Sequence, residues 1–256
     1  MSIAFNFENE GSTIAKIKST DDKNHKILYL AKEEDQFDEL QNPIQELTLN
    51  KGKFHLMPDK SLERNIIYIV GPSGSGKSFF TKQYITEHRN IHKNSKVYMF
   101  SALDEDETLE GVKDLLRINI DESLIDDPIK PDEFEPHSLV IFDDIDTITN
   151  KKLREAVYAI ANTILKVGRH YPHISAIFTS HLATMGNLTK IIICESQYFV
   201  YFPHASNGRG INYLLQNYLG LDLKLIKEIR ENKSRWCVIH NRYPNFIMGE
   251  KYIKLT

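Results

Sequence analysis

Cysteine is scarce in this chain: its 256 residues hold two, Cys194 and Cys237. Neither sits in a metal-ligand spacing. Residues 1–8 show no basic stretch followed by an apolar one, so a secretory leader is not expected and both thiols are expected to stay reduced. Long apolar runs are also missing. None approaches the ~20 residues that cross a bilayer as a helix, so no membrane span is expected. There is no internal repeat and no low-complexity tract, which sets aside solenoids and flexible linkers. Basic residues are nearly absent from one region: residues 101–150 carry 3 Lys+Arg against 16 Asp+Glu. Residues 151–256 reverse this, with 15 Lys+Arg against 6 Asp+Glu, although the whole chain is only −3. Such a split is compatible with an ordinary solvated surface, or with a basic face turned toward a polyanion.

What is present is organised around residues 66–78. An apolar run, Ile66-Ile-Tyr-Ile-Val70, reads as a buried strand. Gly71-Pro-Ser-Gly-Ser-Gly-Lys-Ser78 follows, and a helical stretch begins there. Strand, G-x-x-x-x-G-K-S and helix together form the phosphate-binding loop pattern. Its glycines let successive backbone N–H groups turn toward phosphate oxygens, and the helix N-terminus adds its free donors and dipole. Lys77 can reach β- and γ-phosphates, and the Ser78 hydroxyl can ligate Mg²⁺. The candidate nucleotide-binding residues are therefore Gly71, Pro72, Ser73, Gly74, Ser75, Gly76, Lys77, Ser78 and Phe79.

A second constellation is Leu139-Val-Ile-Phe-Asp143-Asp144. Four apolar residues ending in acid place a carboxylate at the tip of a buried strand, where phosphates bind in open α/β sheets. Asp143 is the candidate for the Mg²⁺ shell and Asp144 for polarising the attacking water. Asp146 either competes with Asp144 or caps the next segment. A third constellation runs from Gly168-Arg169-His170 to a strand ending Thr179-Ser180-His181, whose tip is placed to report on a γ-phosphate through water.

From residue 65 onward strands and helices alternate, which predicts a mainly parallel sheet covered by helices. Strands are expected at 66–70, 96–101, 138–142, 174–180 and 197–202. Helices are expected at 78–89, 109–117, 150–167, 210–219 and 222–231, and a hairpin at 235–249. Residues 1–60 carry short apolar alternations, with a further strand at 51–57. They are expected to form a small β-rich element before a P-loop ATPase domain at 61–256.

In the order G-P-S-G-S-G-K-S, then I-F-D-D-I, then G-R-H-x-x-x-I-S-A-I-x-T-S, the chain resembles the genome-packaging ATPases of poxviruses and other large nucleocytoplasmic DNA viruses, members of the FtsK–HerA superfamily. The resemblance covers roughly residues 60–205. It implies a RecA-like core, a homo-oligomeric ring, ATP and Mg²⁺ as cofactors, and translocation of double-stranded DNA into a capsid. It also implies capsid or portal partners and a virus-encoded protein acting in host cytoplasm, in a virus factory or in the virion. Many superfamily members carry Glu where this chain has Asp144, and usually a Gln sensor where it has His181. Ring ATPases usually complete the site with an arginine from the next subunit. Arg154, Arg169, Arg209 and Arg230 are candidates, and Arg169 is preferred because it lies between the Walker B helix and the sensor strand. Lys151, Lys152, Arg209 and Lys233 are candidate DNA-phosphate contacts. Two other readings stay open: a P-loop switch that loads or positions protein partners, and a small-molecule P-loop kinase.

Overall fold

The computed structural model describes residues 3–7, 12–19, 25–32, 45–49, 56–101, 107–170, 173–184, 186–206 and 208–256. The chain divides into two compact units, Met57–Val238 and a second one made of Met1–Leu56 with Ile239–Thr256. In the second unit, β1 (Ile3–Asn6), β2 (Ser12–Ser19), β3 (His25–Lys32) and β4 (Gln45–Leu49) form a sheet in the order β1-β3-β2-β4. β2 and β3 pair antiparallel, and Ala15, Ile17, Leu28 and Leu30 are buried while the intervening Lys16 and Tyr29 are half-buried and Ile27 is exposed, the alternation of a half-buried sheet. The strand expected at 51–57 falls mostly outside the described residues.

The larger unit begins with β5 (Ile66–Val70), whose five residues are all buried. Continuous β-branched and aromatic apolar residues fit a strand covered on both faces. Then follow α1 (Lys77–Ile91), β6 (Val97–Ser101), α2 (Glu107–Glu110), β7 (Leu115–Ile118), α3 (Ser123–Asp126) and β8 (Leu139–Asp143). Next come α4 (Lys151–Val167), β9 (Ser175–Ser180), α5 (Asn187–Glu195), β10 (Tyr198–Tyr201), α6 (Arg209–Tyr213) and α7 (Leu223–Glu231). Six of these strands lie in the order β10-β5-β9-β8-β6-β7, every neighbouring pair parallel. The expected α/β core with a parallel sheet is therefore present. β11 (Cys237–His240) carries the chain out of this unit, and β12 (Phe246–Gly249) and β13 (Ile253–Leu255) pair antiparallel in the other. No helix among the described residues is long and apolar enough to cross a membrane, and the two cysteines are not bridged.

Register in the sheet is fixed by a row of aromatic rings. Phe100, Phe142 and Phe178 occupy paired positions on β6, β8 and β9. Their centroids are 4.9 Å apart at each step, with interplanar angles of 8° and 3°. That spacing matches the distance between adjacent strands, so the rings stack wherever the register is correct. A one-residue slip would break the row and turn each strand over.

The long helix α4 follows a 3.6-residue pattern, burying Leu153, Val157, Ile160, Ala161 and Ile164. Asn150 caps it by accepting from the amides of Lys152 and Leu153. At its other end the buried Arg64 guanidinium donates to the carbonyls of Ile164 and Leu165, and the Ile164 carbonyl also accepts from the Gly168 amide. Gly168 is needed here because a Cβ would stand 2.5 Å from the Ile164 carbonyl oxygen.

Two expectations are corrected. Residues 109–117 are not a helix: α2 stops at Glu110, Asp114 adopts φ 54°, and Leu115–Ile118 pair with β6 as the edge strand. Gaining a sheet neighbour outweighs a weak helical pattern over nine residues. The helix expected at 210–219 is α6 followed by a π-helical turn, Leu214–Tyr218. Helix α5 was not anticipated.

Candidate functional site: a phosphate-binding loop facing paired acids

Because the six strands run parallel, their C-terminal tips share one edge, and the chemistry gathers there. The loop between β5 and α1 turns on two positive-φ glycines, Gly74 at 73° and Gly76 at 110°. Its base is shaped by Phe202, just past β10. A Cβ on Gly71 would lie 2.8 Å from Phe202 Cδ2 and 2.5 Å from Ser75 Oγ, and one on Gly76 would lie 3.3 Å from the same ring. The loop is anchored to β9 through the Gly71 amide, which donates to the Ser180 carbonyl at 3.1 Å.

Lys77 is buried and its Nζ converges on three groups. It donates to the Gly71 carbonyl at 2.9 Å, stands 3.6 Å from Asp144 Oδ1, and approaches His181 Nδ1 at 3.4 Å. His181 Nε2 meets the other Asp144 oxygen at 2.9 Å. Residues from three separate segments thus form one network: the loop, the tip of β8 and the tip of β9. Asp144 reaches it by leaving the strand in the left-handed conformation, φ 45° and ψ 37°, sparsely populated for a non-glycine residue.

Asp143 stays on the strand, bracketed by hydroxyls from both neighbouring strands. Ser101 Oγ on β6 donates to Oδ2 at 3.2 Å, and Thr179 Oγ1 on β9 lies 2.8 Å from Oδ1. These two positions directly follow the stacked phenylalanines, so the aromatic register also sets the acid's surroundings. Asp146 does not cap the following segment. It lies in a short 3-10 turn and accepts from Ser180 Oγ at 2.7 Å and from the His181 and Leu182 amides at 3.0 and 3.3 Å. It therefore braces the turn that presents His181. Tyr68, on β5, supports the same turn by reaching the Leu182 and Ala183 carbonyls, and burial pushes its phenol pKa up.

Phe79, at the start of α1, is exposed. Arg169 is exposed just past α4, its Nε 3.0 Å from His170 Nε2, where the chain enters the N-terminal end of β9. It lies a strand's length from the tips, so within one subunit it is not brought to the loop. Among the other arginines, Arg154 donates to the Ile148 carbonyl and Arg230 to Asn212 Oδ1, whereas Arg209 is exposed. Lys151, Lys152 and Lys233 are exposed too. Ser101 and Phe202 were not singled out from the sequence, and Thr179 only as part of a strand tip, although Phe-Ser, Phe-Asp and Phe-Thr recur at three strand ends.

Uncharacterized protein V3 of Sputnik virophage is 42% identical over 212 residues, spanning 82% of this chain and 84% of that protein. The chain belongs to the V3 family. No protein-family model matches it. Among solved structures, this V3-family chain is similar to the genome-packaging NTPase B204 of Sulfolobus turreted icosahedral virus 2 in complex with ATP-γS. Identity is 15%, over 75% of this chain and 96% of that one, with a TM-score of 0.43. It is also similar to the cytoplasmic domain of the type VII secretion ATPase EccC of Thermomonospora curvata, at 12% identity over 72% of this chain and 25% of that one, with a TM-score of 0.48.

Proposed function

We propose that this V3-family protein is a virus-encoded, Mg²⁺-dependent ATPase that translocates double-stranded DNA into a capsid. The convergence of Lys77, Asp144 and His181 against the glycine loop is the observation that carries the ATPase reading. The residues present fit both ligands. Positive-φ glycines expose amides to phosphate oxygens, and Ser78 and Asp143 offer the hard oxygen donors Mg²⁺ prefers. Among the described residues no three His, Cys, Asp or Glu side chains are grouped to hold a metal unaided, so the substrate's phosphate oxygens would share the ion.

Lys77 would neutralise charge on the β- and γ-phosphates, and the bound Mg²⁺ would add electrostatic stabilisation. Asp143 would orient water in the metal shell. Asp144 would accept a proton from the attacking water. His181 would sense the γ-phosphate position. Arg169 from an adjacent subunit would complete the site in a ring. The excess of basic residues in 151–256 supports a polyanionic load, contacted through phosphates so that sequence does not matter. Capsid or portal proteins would be the docking partners. The site of action would be host cytoplasm, a virus factory or the virion.

The test is ATP turnover measured across protein concentration with and without duplex DNA. Turnover should rise with assembly and with DNA, and the DNA effect should shrink with salt. Turnover in an assembled ring that ignores DNA would leave an ATPase switch acting on protein partners. Phosphate transfer to a small molecule instead of water would favour a kinase.

A further inference from the structure

Thr179 is 2% exposed, and its hydroxyl lies within bonding distance of three groups belonging to the two acids. Its oxygen accepts from the Asp144 amide at 2.9 Å. It lies 2.8 Å from Asp143 Oδ1 and 3.1 Å from Asp144 Oδ1. A threonine hydroxyl has one proton to give, so it cannot serve both carboxylates fully. The shorter distance assigns it to Asp143. One of its two lone pairs accepts from the Asp144 amide, which lies where the backbone turns left-handed. We propose that Thr179 is the positioning residue that separates the roles of the two acids: its proton holds Asp143 at the metal position and its oxygen, accepting from the Asp144 amide, holds Asp144 off the strand, toward Lys77 and His181.

This rests on the ATP-hydrolysis reading and deepens it. A buried strand threonine ordinarily satisfies its hydroxyl on one backbone carbonyl. Here it serves two adjacent acids, the carboxylate of Asp143 and the backbone amide of Asp144. With Ser101 on the other oxygen, Asp143 has both oxygens engaged by hydroxyl donors, which suits a fixed anion that faces metal-bound water. Asp144 Oδ1 is left with Lys77 as its cationic neighbour at 3.6 Å, so phosphate binding by Lys77 would free that oxygen to accept a proton.

The experiment compares steady-state ATP hydrolysis by the full chain, its Mg²⁺ dependence, and binding of a fluorescent ATP analogue in wild type, Thr179→Val, Thr179→Ser and Thr179→Ala. Thr179→Val keeps the shape and removes the hydroxyl. Its kcat should fall about 10- to 100-fold, the equivalent of one hydrogen bond to a charged group, with little change in KM for ATP. The Mg²⁺ concentration for half-maximal rate should rise, and Thr179→Ser should recover most of the rate. If Thr179→Val does not fold, the Ser-to-Ala ratio reads the hydroxyl alone, because both lack the methyl. Ser and Ala variants equally impaired while melting like wild type, or a Val variant turning over at wild-type rate, would overturn the assignment and leave the ATPase reading standing. A wild-type chain with no turnover would remove both.

Discussion

His181 lies between a cation and an anion: Nδ1 faces the Lys77 ammonium at 3.4 Å and Nε2 meets Asp144 at 2.9 Å. An ammonium only donates, so Nδ1 accepts and Nε2 carries the hydrogen toward the carboxylate. Glutamine offers the same pair, an accepting oxygen and a donating nitrogen. His181→Gln should keep turnover within about tenfold of wild type, whereas His181→Ala should lose about 10- to 100-fold. Steady-state ATPase rates decide it, and equal loss in both variants would deny that the hydrogen-bond pair matters.

In the proposed reaction Lys77 and Asp144 act at different steps, so their variants should fail differently. Lys77→Ala should lose both tight ATP binding and hydrolysis. Asp144→Asn keeps an accepting oxygen for Lys77 but lacks a basic carboxylate. It should bind ATP while hydrolysing about 10²–10⁴-fold more slowly. Binding and single-turnover measurements on the same preparation separate the two, and an Asp144→Asn chain unable to bind nucleotide would contradict the assignment.

The loop's shape depends on the Phe202 ring. Gly71→Ala would place its Cβ 2.8 Å from Phe202 Cδ2, closer than carbon atoms pack without movement. ATP affinity should fall by about tenfold or more, the cost of displacing a packed ring and the amides above it. Gly71→Ala combined with Phe202→Leu should recover part of the affinity. Titration with a fluorescent nucleotide measures both, and a double variant no better than the single one would place the strain elsewhere.

A column of imidazoles gives the fold an acid-sensitive seam. His88 lies 4.9 Å from His92, which stacks at 4.9 Å on His137, and His173 follows at 5.5 Å. Tyr84 lies on the other side of His88, Arg89 adjoins it, the His137 carbonyl stands 3.1 Å from His88 Nε2, and Glu63 lies 3.9 Å from His173. Burial lowers the His88 pKa from 6.5 to about 4, and His92 is lowered as well. The depressed value means neutral His88 stabilises the fold above pH 6.5, and that stability is lost as pH falls toward 4. At pH 5 His88 alone would cost about 2 kcal/mol, or roughly 4–8 °C in melting temperature for a unit of this size. Thermal melts at pH 7.5 and pH 5 should show the drop, and His88→Leu should shrink it. A variant with the same acid sensitivity as wild type would shift the cause to other groups.

The parts legible in the sequence were those encoded locally. The glycine loop, Lys77, Asp143 and the long helix behind Asn150 each declare themselves within a short window, and strand after strand could be placed from its apolar run. Thr179 and Ser101 were not legible as partners of Asp143, because their meeting depends on the register of strands far apart in sequence. The repeated Phe-then-polar ending was the available signal. The partners of Asp146 were hidden for a similar reason: Ser180, His181 and Leu182 lie at and just past the tip of another strand. Leu115–Ile118 is too short for its periodicity to outweigh the helical pattern around it, and only the pairing with β6 makes it a strand.

The strand order bears on how the chain is made. β5 precedes the glycine loop, yet its two sheet neighbours are Ser175–Ser180 and Tyr198–Tyr201. At roughly 5–20 residues per second, the ribosome releases β5 several seconds or more before either neighbour exists. During that interval Ile66-Ile-Tyr-Ile-Val70 is an unpaired apolar strand, the kind of segment that recruits other nascent chains. Synthesis of β9, whose tip carries Thr179 and leads into His181, is what begins to close this exposure, so truncation before residue 175 should give aggregates rather than a smaller folded domain.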